Sequence, residues 1–506
     1  MRTALCWIRR GVLLVLLVVL AGSLSPAAAR PRASAESDFA DVDTFVEAQL
    51  QKQGIPGLAL AIVDGGRVAH LRGFGGAGGG RAMTPQTPLY IGSVSKSFTA
   101  LAVMQLVEAG KIDLDAPVRR YLPWFAVADP VATQAISVRH LLNHASGLSD
   151  LDYVETLADQ ASLEQSARAL RAARPTAPVG TTWQYFNPNY QVLGLIVEQV
   201  SGQRYGDYLR QHIFGPLEMA HSYTSLDEAA RDGLSQGYGA LFGLAVPLRQ
   251  PFRAYGLPAG YIISTAEDLA HYAIAMAGGG SYGAARVLSE AGVRQLQSDN
   301  RQVRGQPYGM GWFVGDYYGS RLIFHGGDNE YFHSDVLLLP ERQLGVVLLS
   351  NQNHLLEDFI AYPPLRFGVL DVLTGRRPAE GGSFRLAGLA LLAAFLLMLG
   401  LGARNLLRLR SWRARSAAWS PARVWLDVAL NFAIPAAIVA GVVLGVSAYM
   451  QRGFDWSRLF TTLYLPDATA LIYAGTAPDL IQGLVKLWWI ARARMAPSRR
   501  PAYAQR

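Results

Sequence analysis

The sequence predicts an α+β domain over residues 30–373, followed by three transmembrane α-helices over residues 386–490. Two observations predict the domain. Apolar, partly alternating stretches near both of its ends read as strands, and the long middle reads as helices and loops, so one sheet is assembled from distant segments around a helical insertion. A third observation predicts the membrane module: apolar runs at Leu386–Ala403, Trp425–Met450 and about Asp467–Ile490 approach or exceed the ~20 residues that cross a bilayer. At 506 residues the chain also exceeds the ~250–300 at which single cores stop growing.

Taken in order, Arg2, Arg9 and Arg10 precede an apolar run from Gly11 to Leu24 and the small-residue stretch Ser25-Pro26-Ala27-Ala28-Ala29. This is the pattern of a secretory signal peptide over residues 1–29, and an uncleaved anchor would export the same residues. Asp38–Gln53 reads as a first helix. Gly57–Val63 and Arg67–Phe74, joined by Asp64-Gly65-Gly66, read as a β-hairpin, and residues 75–88 as a surface loop. Gly78-Gly79-Gly80 lacks the Gly-Lys-Ser/Thr that would close a phosphate loop. A helix opens at Ser93, because Val94, Phe98, Leu101, Met104 and Val107 recur on one face and Gly110 provides a stop. Strands are expected at Leu322–His325, His333–Leu339 and Leu344–Ser350, and a helix at Leu355–Leu373. Residues 374–385 read as a linker and 491–506 as a basic tail.

Charge and topology agree. The net charge is +8, with 51% hydrophobic and 17% charged residues, a balance too apolar for a disordered chain. Residues 1–29 hold three arginines and no acid. Residues 384–506 hold fourteen arginines, one lysine and four aspartates, which leaves residues 30–383 at −6. A nucleic-acid binder carries its basic footprint on the folded domain, so no nucleic-acid partner is expected. The loop after the first span carries Arg404, Arg408, Arg410, Arg413, Arg415 and Arg423, and the tail carries Arg492, Arg494, Arg499, Arg500 and Arg506, all without an acid. By the positive-inside rule both are cytoplasmic, and three spans then place residues 30–383 outside. The leader implies the same side. Pro478 and Asp479 near the middle of the third span leave a helix break, or a later start, open there. Cys6 is the sole cysteine, so the exported part has no disulfide and no thiol nucleophile.

The chain has 42 arginines but only four lysines: Lys52, Lys96, Lys111 and Lys486. Arginine stays charged in proteins, whereas lysine can give up its proton. Lys96 follows Ser93 by three residues at a helix start, so both share one face. The partial positive charge of the helix N-terminus disfavours the protonated amine and favours an alkoxide on Ser93. A weak nucleophile beside a base is what covalent catalysis requires. Taken alone, Ser-x-x-Lys describes a capping serine and a solvated lysine equally well.

The surrounding phrase Tyr90-Ile91-Gly92-Ser93-Val94-Ser95-Lys96 resembles the active-site helix of the penicillin-recognising serine hydrolases, the class C β-lactamases, D-alanyl-D-alanine carboxypeptidases, D-aminopeptidases and β-lactamase-like esterases. Gly110-Lys111-Ile112-Asp113-Leu114-Asp115 and Val138-Arg139-His140-Leu141-Leu142-Asn143-His144-Ala145-Ser146-Gly147-Leu148 follow in family order, and the resemblance covers roughly Phe45–Leu373. It implies a β-lactamase/penicillin-binding-protein-like fold, an antiparallel sheet flanked by helices plus a helical subdomain. It implies Ser93, Lys96 and Tyr185 as catalytic residues, with Tyr185-Phe186-Asn187 as the Tyr-x-Asn element. Such a phenol takes the serine proton and returns it to the leaving group. Phe186 replaces a commoner small residue and is expected to narrow or reshape the site. Asn187, His325 and Gly327 are implied as substrate-binding residues, the last two in His325-Gly326-Gly327 where typical β-lactamases have Lys-Thr-Gly. A histidine is only partly charged near neutral pH, so recognition of a substrate carboxylate is weakened. The backbone N–H groups of Ser93 and Asp328 are implied as the oxyanion hole.

No metal or other cofactor is expected. His140 and His144 are four apart, but the Glu of a His-Glu-x-x-His site is missing. His333 reads as a packing or surface residue, and Tyr308-Gly309-Met310-Gly311-Trp312 as a strand edge or pocket wall. Two function classes remain open. One is a membrane-anchored extracytoplasmic serine hydrolase acting through an acyl-enzyme on a β-lactam-like compound, a D-amino peptide or an ester. The other is a non-catalytic domain that binds peptidoglycan fragments or senses them. Expected partners are a small-molecule or peptide substrate, cell-wall derived among the options, and the lipid bilayer.

Overall fold

The computed structural model describes residues 39–153, 155–298, 303–450 and 466–495. The signal peptide expected at 1–29 and the tail from residue 496 lie outside the described residues, as does the loop between the second and third expected spans. The described residues fall into two compact units, divided between residues 386 and 387.

The first unit opens with α1 (Phe39–Gln53), then β1 (Gly57–Asp64), β2 (Arg67–Gly78) and β3 (Arg81–Ala82). A helical region follows, whose longest members are α2 (Ser95–Glu108), α3 (Asn187–Ser201) and α4 (Ala266–Ala277). The chain then returns to the sheet with β4 (Phe313–Tyr317), β5 (Ser320–Asp328), β6 (His333–Leu339) and β7 (Leu344–Ser350), and closes on α5 (Tyr362–Leu373). The seven strands form one antiparallel sheet in the order β4-β5-β6-β7-β1-β2-β3. The sheet is therefore built from both ends of the domain, with the helical region inserted between. Part of the expected loop 75–88 belongs to it, since β2 runs to Gly78 and pairs with β3.

Burial on both faces explains the unbroken apolar run of β1. Leu58, Leu60 and Ile62 meet Val42, Val46 and Leu50 of α1 and Leu365 and Val369 of α5 in one core. The alternate residues Ala59, Ala61 and Val63 are buried on the opposite face, where α4 packs. Small side chains there let the helix approach closely.

The second unit holds most of α6 (Phe384–Leu409), with α7 (Pro421–Met450) and α8 (Pro466–Met495). Among the described residues two helices are long and apolar enough to cross a membrane, α6 and the Pro421–Gly441 part of α7. The expected third span is a helix, but α8 carries Asp467, Asp479, Lys486 and Arg492 and falls outside that pair. It also runs unbroken through Pro478, against which Gly402 packs. Lys486 Nζ donates to Asp427 Oδ2 at 2.7 Å, and Trp412 Nε1 donates to the same oxygen at 2.9 Å.

Candidate active site

The segment from Tyr90 to Ser95 is pressed against the end of β5. Gly92 adopts φ +47°, and a Cβ on it would lie 2.4 Å from Asp328 N, a place that glycine alone fits. A Cβ on Gly327 would lie 2.1 Å from Ile91 O and 2.9 Å from Ser93 N, so turn and strand meet backbone to backbone. Gly92–Val94 form a single 3₁₀ turn before α2 begins at Ser95. Ser93 thus precedes the helix that the sequence placed it on. The spacing survives, because positions i and i+3 also eclipse in a 3₁₀ turn.

Lys96 is fully buried and donates to Ser93 Oγ at 2.9 Å, Asn187 Oδ1 at 2.8 Å and Ala259 O at 2.6 Å. Three oxygens around one nitrogen match the three donors of an ammonium. Its Nζ lies 4.7 Å from the ring centroid of Tyr185, a further contact that favours the cation. The helix terminus argued for the opposite protonation state, and the three acceptors outweigh it. Tyr185 Oη lies 2.7 Å from Ser93 Oγ. Phe186 is extended (φ −149°), so Tyr185 and Asn187 project to one side and Phe186 to the other. Phe186 is buried edge-on against Tyr153 rather than narrowing the site.

Two neutral histidines line this cluster. The His144 ring sits 4.4 Å from that of Tyr185, and its Nδ1 faces the Phe186 N–H at 3.2 Å and the Asn189 amide at 3.3 Å. An acceptor of two donors is unprotonated at that nitrogen. Burial, then Lys96 and His325, hold the imidazole well below the usual histidine range. His140 is separate: its Nδ1 completes a capping box with Ser137 at the start of the short helix Val138–Leu142. His325 donates from Nδ1 to Gly326 O at 2.6 Å, and its Nε2 lies 3.0 Å from Tyr308 Oη. Burial and then Lys96 push its pKa down to about 3. The partial charge expected at this strand is therefore absent at neutral pH.

Register orients Asp328. Asn329 N donates to Phe332 O at 3.0 Å, which makes 329/332 a hydrogen-bonded pair and the neighbouring Asp328/His333 a non-hydrogen-bonded one. The Asp328 N–H consequently points away from β6, toward the Gly92–Ser93 turn, while its side chain lies beside that of His333. His333 is no surface residue. Its Nδ1 bonds Asp328 Oδ1 at 2.7 Å, its Nε2 bonds Asp335 Oδ2 at 2.9 Å, and its ring stacks on Tyr362 at 3.5 Å. Asp328, His333 and Asp358 each offer a ligand atom within 4.8 Å of the others. Two carboxylates on the two nitrogens, however, describe an imidazolium, which donates from both.

Known proteins share this architecture. The Beta-lactamase family model matches residues 42–370, and the chain belongs to that family of penicillin-recognising serine hydrolases. It is 29% identical over 317 residues to the protein flp of Staphylococcus aureus strain MW2, covering 62% of this chain and 63% of that one. It is 29% identical over 339 residues to the unguisins hydrolase ungD' of Aspergillus campestris, covering 63% and 62%. The chain thus spans less than two thirds of the length of these relatives. A penicillin-binding protein homologue from Pyrococcus abyssi, described as octameric, superposes with a TM-score of 0.60 at 26% identity, covering 69% of this chain and 80% of that one.

Ser93, Lys96, Tyr185 and Asn187 lie together, and Gly327 and the Asp328 N–H border the same turn. Sequence reasoning missed the Ala259 carbonyl, which has no side-chain signal, the ring of His144 beneath Tyr185, and the ion pairs of His333. The last was accessible in principle, because Asp328, His333 and Asp335 bracket a tight hairpin.

Proposed function

We propose that the first unit hydrolyses an ester or amide through an acyl-enzyme on Ser93. The observation that carries this reading is the meeting of Lys96 Nζ and Tyr185 Oη on Ser93 Oγ at 2.9 and 2.7 Å. With Lys96 held as an ammonium, the base is Tyr185 as its phenolate, which the adjacent cation favours. Ser93 Oγ attacks the carbonyl carbon as its proton passes to Tyr185. The carbonyl oxygen becomes the oxyanion, bound by the N–H groups of Ser93 and Asp328. As the intermediate collapses, Tyr185 gives the proton to the leaving alcohol or amine. Water then repeats the sequence on the acyl-enzyme, releasing the acid and restoring Ser93. Asn187 holds Lys96 in place and presents its amide to the substrate.

His325 favours substrates that carry no carboxylate beside β5, since a buried neutral imidazole provides no countercharge. We place neutral esters and amides ahead of β-lactams and D-alanyl peptides. We further propose an exported signal peptide, three spans and an extracytoplasmic catalytic unit. The apolar helices α6 and α7 and the arginine-only flanks support this.

The test is a panel on the full chain in detergent: p-nitrophenyl acetate, a chromogenic cephalosporin and a D-alanyl-D-alanine peptide. The ester should have a kcat/KM at least tenfold above the other two, and Ser93→Ala should abolish it. Faster turnover of the cephalosporin would reject the substrate preference. Turnover by Ser93→Ala equal to the unmodified chain would reject the hydrolase reading.

A further inference from the structure

The end of β5 is held by a buried chain of alternating charges that no step of the proposed reaction uses. His333 lies between Asp328 and Asp335, and Arg366 Nη1 of α5 donates to Asp335 Oδ1 at 2.9 Å. Asp335 is almost completely buried, and His333 nearly so. Tyr362 of α5 covers the imidazole with its ring, while its hydroxyl is fixed on the Gln352 carbonyl at 2.5 Å. The groups facing His333 are Asp328 from β5, Asp335 from β6, Glu357 and Asp358 from the short helix Glu357–Ile360, and Arg366 and Tyr362 from α5. Only one end of the chain is exposed, the Asp328 carboxylate, and the N–H of that residue faces Ser93.

We infer that His333 is a positioning residue for the reaction, clamping the Asp328 side chain so that its backbone N–H stays aimed at the oxyanion that forms beside Ser93. The inference rests on the hydrolase reading above. The clamp suits this task because the hairpin tip is anchored at its base by Ser334 Oγ, which donates to Ile91 O at 2.7 Å. Beyond Ser334, backbone pairing continues only through Asn329 and Phe332, and the Asp328 N–H takes no part in it. The side-chain pair therefore fixes what the ladder leaves loose. Burial alone would discharge the imidazole, but Asp335 and Asp328 hold its pKa up at about 10, so the clamp stays charged through neutral pH. Preorganised donors matter most in the transition state, so loosening one lowers kcat and leaves ground-state binding nearly unchanged.

The experiment compares the full chain in detergent with His333→Gln and Asp328→Asn, using p-nitrophenyl acetate turnover and the phosphonylation rate with a fluorophosphonate. Asp328→Asn keeps the backbone N–H and alters a partly exposed side chain, so it serves if His333→Gln fails to fold. Each variant should lower kcat tenfold or more with KM changed less than threefold, and should slow phosphonylation by the same factor. Equal kcat and phosphonylation rates in folded variants and unmodified chain would overturn the inference while leaving Ser93 as nucleophile. A rise in KM alone would also overturn it, as would activity lost to EDTA and restored by zinc. A Ser93 that neither turns over ester nor reacts with the fluorophosphonate would sink the hydrolase reading itself.

Discussion

At the scale of single residues, the site is a problem of charge placed in a dry environment. Lys96 is surrounded by oxygens that favour its cation, and that cation in turn helps keep His144 and His325 neutral. The pH consequence of His325 has a definite sign. Unfolded histidine titrates near ~6.5, and the folded group only at about 3. The unfolded chain therefore binds the proton first as pH falls, so the contribution of His325 is complete above ~6.5 and lost on the way down to about 3. Thermal melting between pH 7 and 4 should show the unmodified chain losing stability more steeply than His325→Gln. Parallel curves would refute the buried neutral assignment. Ser93 and Lys96 were legible because lysine is scarce in this chain and their spacing puts them on one face. Protonation states were not, because they depend on carbonyls such as Ala259 O that leave no mark in a sequence.

At the scale of elements, the active site is the place where a turn from one end of the domain meets a strand from the other. Gly92→Ala tests that contact. The change puts a Cβ 2.4 Å from Asp328 N at a φ of +47°, and should destabilise the chain by ~2–4 kcal/mol. Melting of the variant within a degree of the unmodified chain would show that the turn is not pinned to β5. The strands β1, β6 and β7 were readable as apolar runs because helices or neighbouring strands cover them. The edge strand β4 was not, since Phe313–Tyr317 is mostly half-exposed and interrupted by Gly315. The single helix expected at Leu355–Leu373 is two, Glu357–Ile360 and α5, with Pro363 and Pro364 in the first turn of the second, where proline is tolerated. Phe186 was misjudged because the side to which it points depends on the extended φ just before α3.

At the scale of the whole molecule, the apolar runs and the arginine distribution made two membrane-compatible helices legible. They overstated α8, whose Lys486 finds a carboxylate in Asp427 rather than lipid. Counting charge by loop predicts the orientation, and cysteine labelling in intact cells checks it. Thr374→Cys should react with a membrane-impermeant maleimide in intact cells, whereas Ser411→Cys should react only after permeabilisation. The reverse pattern would invert the topology. The account as a whole stands on one covalent event. Incubating the full chain with a fluorophosphonate and mapping the adduct by peptide mass spectrometry should place a single phosphonyl group on Ser93, with none on Ser93→Ala. An adduct on another residue, or an unmodified Ser93 in folded protein, would contradict it.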